Sequence, residues 1–420
     1  MLIEFNVANY RSIRESQALS MVAAKDTSHK DSNCMTSGIS GLPQLVRTAA
    51  LYGPNASGKS NLIAAFAFMQ SMVATSAVGI REGQTLNVSP FRFEPQMNHE
   101  PSEFEVTFID NGIRYQYGFS LNSTRVVREW LLVYIERKAQ RWFERKYDNK
   151  KDKDTWYFGS HLVGGKQRHL WSNSTRGNAL FLSTAVNLNS EQLRPIFNWF
   201  VNKLVIIGSN TQPHPFYTMD RVKNKTDKPQ IIQFLQAADL GITDVEIKTQ
   251  KGHQLQLRLE AGVAAIESKQ ETDIPSATLF HQGKNNNPVS FDLNEESHGT
   301  QRLFAYAGPI LDVLRDGKVL VVDELDGSLH PKMVRFLVGL IQNSHLNQNN
   351  AQLIFTTHNT SLLDVDLFRR DQIWFMEKDQ EQASHLYPLT DFSPRKGEAL
   401  EKGYLLGRYG ALPFFGEFNL

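Results

Sequence analysis

A glycine-rich loop, Gly53-Pro-Asn55-Ala-Ser57-Gly58-Lys59-Ser60, follows the apolar run Thr48 to Tyr52 and precedes the stretch Asn61 to Val73, whose Leu, Ile, Ala, Phe and Met suit a buried helix. Strand, loop and helix in that order make an anion cradle. The glycines let backbone N–H groups turn toward phosphate oxygens, Lys59 reaches the terminal phosphates, and the Ser60 hydroxyl is a ligand for Mg²⁺. Gly53, Asn55, Ser57, Gly58, Lys59, Ser60 and Asn61 are therefore candidate ATP-binding residues. A second segment, Val319-Leu-Val-Val-Asp323-Glu324, reads as a buried strand ending in two carboxylates. Asp323 can hold Mg²⁺ through water, and Glu324 can polarise the water that attacks a phosphoryl group.

Two shorter segments complete the pattern. Ser297-His-Gly299-Thr-Gln301 lies 26 residues before Asp323 and opens a helical stretch through Leu314. A serine hydroxyl and glycine amides at a helix N-terminus suit a γ-phosphate presented by a second copy; the alternative is plain N-capping by Ser297. After Glu324 comes Leu325-Asp326-Gly-Ser-Leu-His330-Pro331, and the apolar strand Leu353 to Thr356 leads to His358. The Leu325 to Pro331 segment resembles the loop that touches the opposite subunit in ATPases of the ABC type, and His358 resembles their switch histidine, which senses the γ-phosphate. A solvated strand end and an ordinary strand-end histidine are the alternatives. Lys59, Glu324 and His358 are the catalytic candidates, with Ser297, Gly299 and Asp326 as further nucleotide contacts. Phosphoryl transfer to water depends on positioning and charge stabilisation, and one glycine loop leaves the γ-phosphate half exposed. The expected unit is an ATP-dependent dimer, or a higher even-numbered assembly, whose shape changes on hydrolysis.

The elements that position these residues lie at both ends of the chain. Leu2 to Ala8 alternates as a strand; from about Glu103 strand-like segments recur at Phe104 to Ile109, Arg114 to Leu121, Trp130 to Ile135 and Arg141 to Lys146. Helical stretches follow at Ser190 to Asn202 and Pro229 to Ala238, then two strands, Val245 to Thr249 and Gln254 to Leu259, flanking a turn at Lys251-Gly252. The expected fold class is α/β: an ABC-type P-loop ATPase core of residues 1–96 and 286–420, with a β-rich α+β insertion at 97–285. The insertion has no sustained heptad pattern, so a long coiled coil is not expected.

Composition bounds the partners. The chain has 420 residues, 41% hydrophobic and 21% charged, enough for a large core and two lobes. Lys and Arg number 45 against 44 Asp and Glu, so the chain as a whole lacks a nucleic-acid binder's basic excess. Cys34 is the only cysteine, which rules out an intramolecular disulfide and a cysteine-based zinc site. No apolar run reaches the roughly 18 residues of a membrane helix, and the N-terminus does not read as a signal peptide, so a cytoplasmic location is expected. Arg137 to Lys146 mixes basic and aromatic residues on an expected hairpin, which suits either stacked bases or one wet face. The end, Leu412-Pro-Phe414-Phe415-Gly-Glu-Phe418-Asn-Leu420, carries three phenylalanines, for packing on its own lobe or for a partner.

With these residues in place, the chain resembles the SMC/RecF/OLD branch of ABC ATPases, and within it the stand-alone abortive-infection ATPases of the AbiL (RloA) type, which are similar to the ATPase of the PARIS anti-phage system. The resemblance rests on Phe5-Asn-Val-Ala-Asn9-Tyr-Arg11-Ser12, Tyr52 to Asn61, Asp323 to Pro331, and Tyr404-Leu-Leu-Gly407-Arg-Tyr-Gly410-Ala-Leu-Pro413. It implies that Arg11 lies near the nucleotide phosphates, a surface arginine in a turn being the alternative. It implies an anti-phage sensor or scaffold, answering to a phage-encoded trigger and controlling a separate effector, such as a Toprim-type nuclease. Asp364-Val-Asp366 lacks the accompanying acids of a two-metal nuclease. A RecF-like repair ATPase that clamps DNA directly is the alternative, and direct DNA binding stays open. The sequence assigns no position to the glutamine that usually links nucleotide to insertion in such heads, Gln84 being a guess.

Overall fold

The computed structural model describes residues 1–135, 138–208, 213–238, 240–260, 263–395 and 397–413, with backbone only at 250 and 252–272. The described chain forms two compact units: 1–210 with 313–326 and 334–420, and 211–312 with 327–333.

The first unit is built on a six-stranded sheet in the order Leu204–Ile207, Val319–Val322, Gln352–Thr356, Thr48–Tyr52, Ile373–Lys378, Ser384–Pro388. The first five strands run parallel and the last is antiparallel. Val319–Val322, Gln352–Thr356 and Thr48–Tyr52 are buried at every position, as strands covered on both faces must be. Parallel register pairs Val322 with Phe355 and Thr356 with Leu51, so the chain leaves all three strands at one edge. That carboxyl edge is where ligands of open α/β sheets bind.

A seven-stranded antiparallel sheet accompanies it, in the order Lys153–Phe158, Gln140–Asp148, Val126–Tyr134, Ile113–Leu121, Ser102–Asp110, Leu2–Ala8, Gln17–Ser20. The helix Lys59–Thr75 buries Leu62, Phe66, Met69 and Val73. Phe66 stacks on Phe5 of the antiparallel sheet with ring centroids 3.7 Å apart, while Gln70 donates to the carbonyls of Phe200 and Leu204 beside the parallel sheet. The loop helix is thereby clamped by both sheets.

The fold class expected from the sequence is the one found, an α/β P-loop core with a β-rich addition. The compact units, however, do not divide at 96/97 and 285/286. Leu2–Ala8 pairs with Ser102–Asp110, so the antiparallel strands continue the N-terminal strand and are not a lobe apart. Leu204–Ile207 enters the parallel sheet beside Val319–Val322. The reason is that backbone pairing over long sequence separations leaves no compositional trace.

The second unit contains helices Pro215–Val222 and Lys228–Ala237 and a three-stranded sheet of Ile242–Glu260, Val263–Gln282 and Pro288–Asp292. The turn expected at Lys251-Gly252 is absent: one strand runs through it, with Gly252 opposite Thr272. The expected helix from Ser190 is only Arg194–Asn198, followed by a π turn at Trp199–Lys203. Helix His298–Asp316 carries Pro309, which has no N–H for the carbonyl of Ala305. Thr218 compensates: its hydroxyl donates to Ala305 O at 3.3 Å and accepts the Gly308 N–H at 3.1 Å.

Candidate functional site: a phosphate loop facing paired carboxylates

The loop between Tyr52 and Lys59 needs conformations that side chains oppose. Gly53 has φ +155° and Gly58 φ +112°. A Cβ at Gly53 would overlap the carbonyl oxygen of Met376, and one at Gly58 would overlap the hydroxyl of Ser384 and lie 2.9 Å from that of Ser12. These hydroxyls fasten the loop. Ser384 Oγ donates its one proton to Ser57 O at 2.7 Å and accepts from Ser12 Oγ at 2.7 Å, while Asn61 Nδ2 donates to Ser12 Oγ at 2.7 Å. Arg11, at φ +52°, is exposed; its guanidinium donates to Asn61 Oδ1 at 3.4 Å, at the first turn of the loop helix. Ser384 and Ser12 were not assigned a role from sequence, because isolated serines carry no spacing signal.

Lys59 is buried, and its ammonium donates to the carbonyls of Gly53 at 2.7 Å and Pro54 at 2.9 Å. Burial pushes its pKa down to about 8, against the upward pull of Asp323, Glu324 and Asp326. Ser57 Oγ and one oxygen of Asp326 are buried without a hydrogen-bond partner. A buried cation resting on carbonyl oxygens, an orphaned hydroxyl and strained glycines fit a phosphate group. Asn55 and Ser60 lie exposed on the loop's rim.

Asp323 is buried at the end of Val319–Val322, and its N–H donates to Ile207 O at 2.8 Å. Glu324 follows in the left-handed region, φ +51°. Thr356 Oγ1 donates to Asp323 Oδ1 at 2.6 Å and accepts the Glu324 N–H at 2.7 Å. The N–H of His358 donates to Asp326 Oδ2 at 3.1 Å. Burial, with Lys59 as the next cause, lowers the His358 pKa below the usual histidine value, which favours the neutral ring. The first unit thus gathers Gly53 to Asn61, Asp323, Glu324, Asp326 and His358 at one sheet edge, a set able to hold a metal triphosphate and orient a water.

Ser297 and Gly299 belong to the second unit. There Ser297 Oγ accepts the Thr300 N–H at 3.1 Å, a plain helix cap, and Gly299 lies against Ser328. Gln84 is engaged locally, accepting the Arg81 N–H at 2.9 Å. Of the mixed hairpin, Arg137 lies outside the described residues. Arg145 is fully buried on Asp154 and the Ala179 carbonyl, while Arg128, Arg141 and Lys146 surround Glu144. Trp142 and Phe143 are buried too. Arg145, Trp142 and Phe143 are thus committed inside the fold, whereas Arg141 and Lys146 remain exposed around Glu144. Asp364 is paired with Arg335 at 2.6 Å.

The C-terminal segment closes a cavity of about 640 Å³ beside the loop, between Gly53 to Ser57, His358 and Leu412. Tyr404 donates to Ala411 O, the Ala411 N–H donates to Glu377, and Phe375 stacks on Tyr404 and Tyr409. Residues 414–420, which carry the terminal aromatics, lie outside the described residues.

The comparison that decides the family is with a sequence profile described as "AAA domain, putative AbiEii toxin, Type IV TA system", which matches residues 49–364, three quarters of the chain. The chain belongs to this family. Its match takes in the glycine loop, both carboxylates and His358. No curated protein sequence matches the chain. Among solved structures, it is similar to an SMC head domain from Thermotoga maritima, at 14% identity over 92% of this chain and 98% of that one, with a TM-score of 0.40. It is also similar to an Smc head bound to the C-winged helix domain of ScpA, at 11% identity over 92% and 97%, TM-score 0.41. A third is an Smc head with an extended coiled coil, bound to the C-terminal domain of ScpA derived from Pyrococcus furiosus, at 10% identity over 97% and 98%, TM-score 0.42. No helix among the described residues of this AAA domain is long and apolar enough to cross a membrane.

Proposed function

We propose that this AAA domain hydrolyses ATP at a site shared by two copies and acts as a nucleotide-dependent switch in anti-phage defence, holding or releasing a separate effector. The observation that carries the chemistry is the meeting of a buried Lys59 with Asp323, Glu324 and His358 at one sheet edge, beside the unpartnered Ser57 hydroxyl. ATP would supply the reactive γ-phosphate, and a Mg²⁺ held by the Ser60 hydroxyl and the Asp323 carboxylate would supply positive charge beside it. Lys59 exchanges two carbonyl partners for phosphate oxygens, which bear the growing negative charge. Glu324 accepts the proton of the attacking water, and the neutral ring of His358 hydrogen-bonds to the γ-phosphate region. Ser297 and Gly299 of a second copy complete the cradle, with Asp326 and its neighbours meeting that copy.

The defence setting is supported by the AbiEii toxin and Type IV toxin–antitoxin wording of the family description and by the abortive-infection resemblance of the chain's ends. The effector proposed is a Toprim-type nuclease encoded separately. Glu324→Gln should bind ATP and accumulate as a closed dimer on size exclusion, with the effector's association differing from that of the nucleotide-free protein. Parental turnover by Glu324→Gln would refute the assignment of the base. Salt-sensitive binding of duplex DNA by the isolated protein would instead favour a DNA clamp.

A further inference from the structure

We propose that Thr356 is a positioning residue for this hydrolysis, orienting both carboxylates and tying them to the histidine loop; the inference rests on the ATPase reading above. Thr356 ends strand Gln352–Thr356, which lies between the strand feeding the glycine loop and the strand feeding Asp323. It is wholly buried. Its hydroxyl has one proton, and donating that proton to Asp323 Oδ1 at 2.6 Å leaves a lone pair for the Glu324 N–H at 2.7 Å. The direction of the whole chain is therefore fixed, from Glu324 N–H through Thr356 to Asp323.

Two consequences follow for the chemistry. One oxygen of Asp323 is engaged by the threonine, which fixes the carboxylate's orientation and leaves Oδ2 as the oxygen that would serve a bound Mg²⁺. Glu324 sits at φ +51°, a conformation an L-residue keeps only when its surroundings hold it. The Thr356 hydroxyl holds the Glu324 N–H, and the Thr356 carbonyl accepts the next N–H, of Leu325, at 3.1 Å. Two residues further on, the His358 N–H meets Asp326 at 3.1 Å. The strand end thus grips the turn from Asp323 to Asp326, and a shift of the histidine loop is felt at both carboxylates.

Valine keeps the shape of threonine without the oxygen, alanine loses both oxygen and methyl, and serine keeps the oxygen. In single-turnover hydrolysis and in Mg²⁺ titrations of fluorescent ATP-analogue binding, Thr356→Val and Thr356→Ala should lower the rate and raise the Mg²⁺ midpoint by about 10- to 100-fold each, with Thr356→Ser recovering most of both. Analogue binding without Mg²⁺ and the circular dichroism spectrum report folding. Should valine misfold, the alanine and serine pair decides. Parental rate and Mg²⁺ midpoint in a folded Thr356→Val, or a serine variant as impaired as alanine, would overturn the proposal. If the parent itself does not hydrolyse ATP, the ATPase reading fails, and the Mg²⁺ midpoint of binding still judges Thr356.

Discussion

The ammonium of Lys59 lies 2.7 Å from the carbonyl oxygen of Gly53, the residue that opens its own loop. In this arrangement backbone carbonyls hold a buried positive charge, which the proposed function pairs with a phosphate. Burial costs the protonated amine stability below its folded pKa of about 8, and that cost fades as pH rises from there toward the ordinary 10.5, because the unfolded chain binds the extra proton in that window. Nucleotide affinity has the opposite slope, since phosphate needs the charged form. Raising pH from 7 to 9 should weaken ATP-analogue binding roughly tenfold. In Lys59→Met, binding should be nearly lost and this slope absent; fluorescence titrations at the two pH values check both.

Ser384 anchors the same loop from the far strand of the parallel sheet. Ser384→Ala removes the hydrogen bond to Ser57 O and should weaken nucleotide binding by about 1 kcal/mol, roughly fivefold. Gly58→Ala should do far worse, because its Cβ meets the Ser384 and Ser12 hydroxyls at a strained φ. Calorimetric titration of the two variants with ATP measures the order.

Glu129 is fully buried and accepts the N–H groups of Phe181 and Leu182 at 2.6 and 3.0 Å and the Tyr117 hydroxyl at 3.0 Å. It caps helix Phe181–Asn187 from the antiparallel sheet. Glu129→Leu leaves two buried N–H groups unpaired and should cost about 3 kcal/mol of stability, seen as a lower urea midpoint with the slope unchanged.

Thr218 offers a test within the second unit. Thr218→Val strips the donor from the Ala305 carbonyl that Pro309 cannot satisfy, and should cost about 1–3 kcal/mol. Thr218→Ser should retain most of it. Thermal melts of the two variants distinguish hydrogen bonding from packing.

Much of this was legible in the sequence because it rests on local signals. The apolar runs before Gly53, Asp323 and His358 announce buried parallel strands, and parallel pairing brings their ends to one edge without further information. What stayed hidden depends on contacts between distant backbone. Nothing in the side chains of Leu2–Ala8 says that its neighbour is Ser102–Asp110, or that Leu204–Ile207 borders the strand of Asp323. Lys251-Gly252 suggested a turn, yet the chain runs straight through it. Thr356, Ser384 and Ser12 were missed because hydroxyl residues occur everywhere; the one available signal was that Thr356 ends an apolar strand just ahead of His358. The Ser297 segment shows how a single chain can mislead, since its hydroxyl here serves as a helix cap whatever a second copy presents to it.

The central claim is that each ATP is held by Lys59 of one copy and Ser297 of another, and mixing two dead variants tests it most directly. Lys59→Met and Ser297→Arg should each be inactive alone. Combined in equal amounts and allowed to exchange, half the dimers pair one of each and carry one intact site of two, so about a quarter of the parental ATPase rate should return. A mixture no more active than its components, or a Ser297→Arg protein as active as the parent, would contradict a shared site.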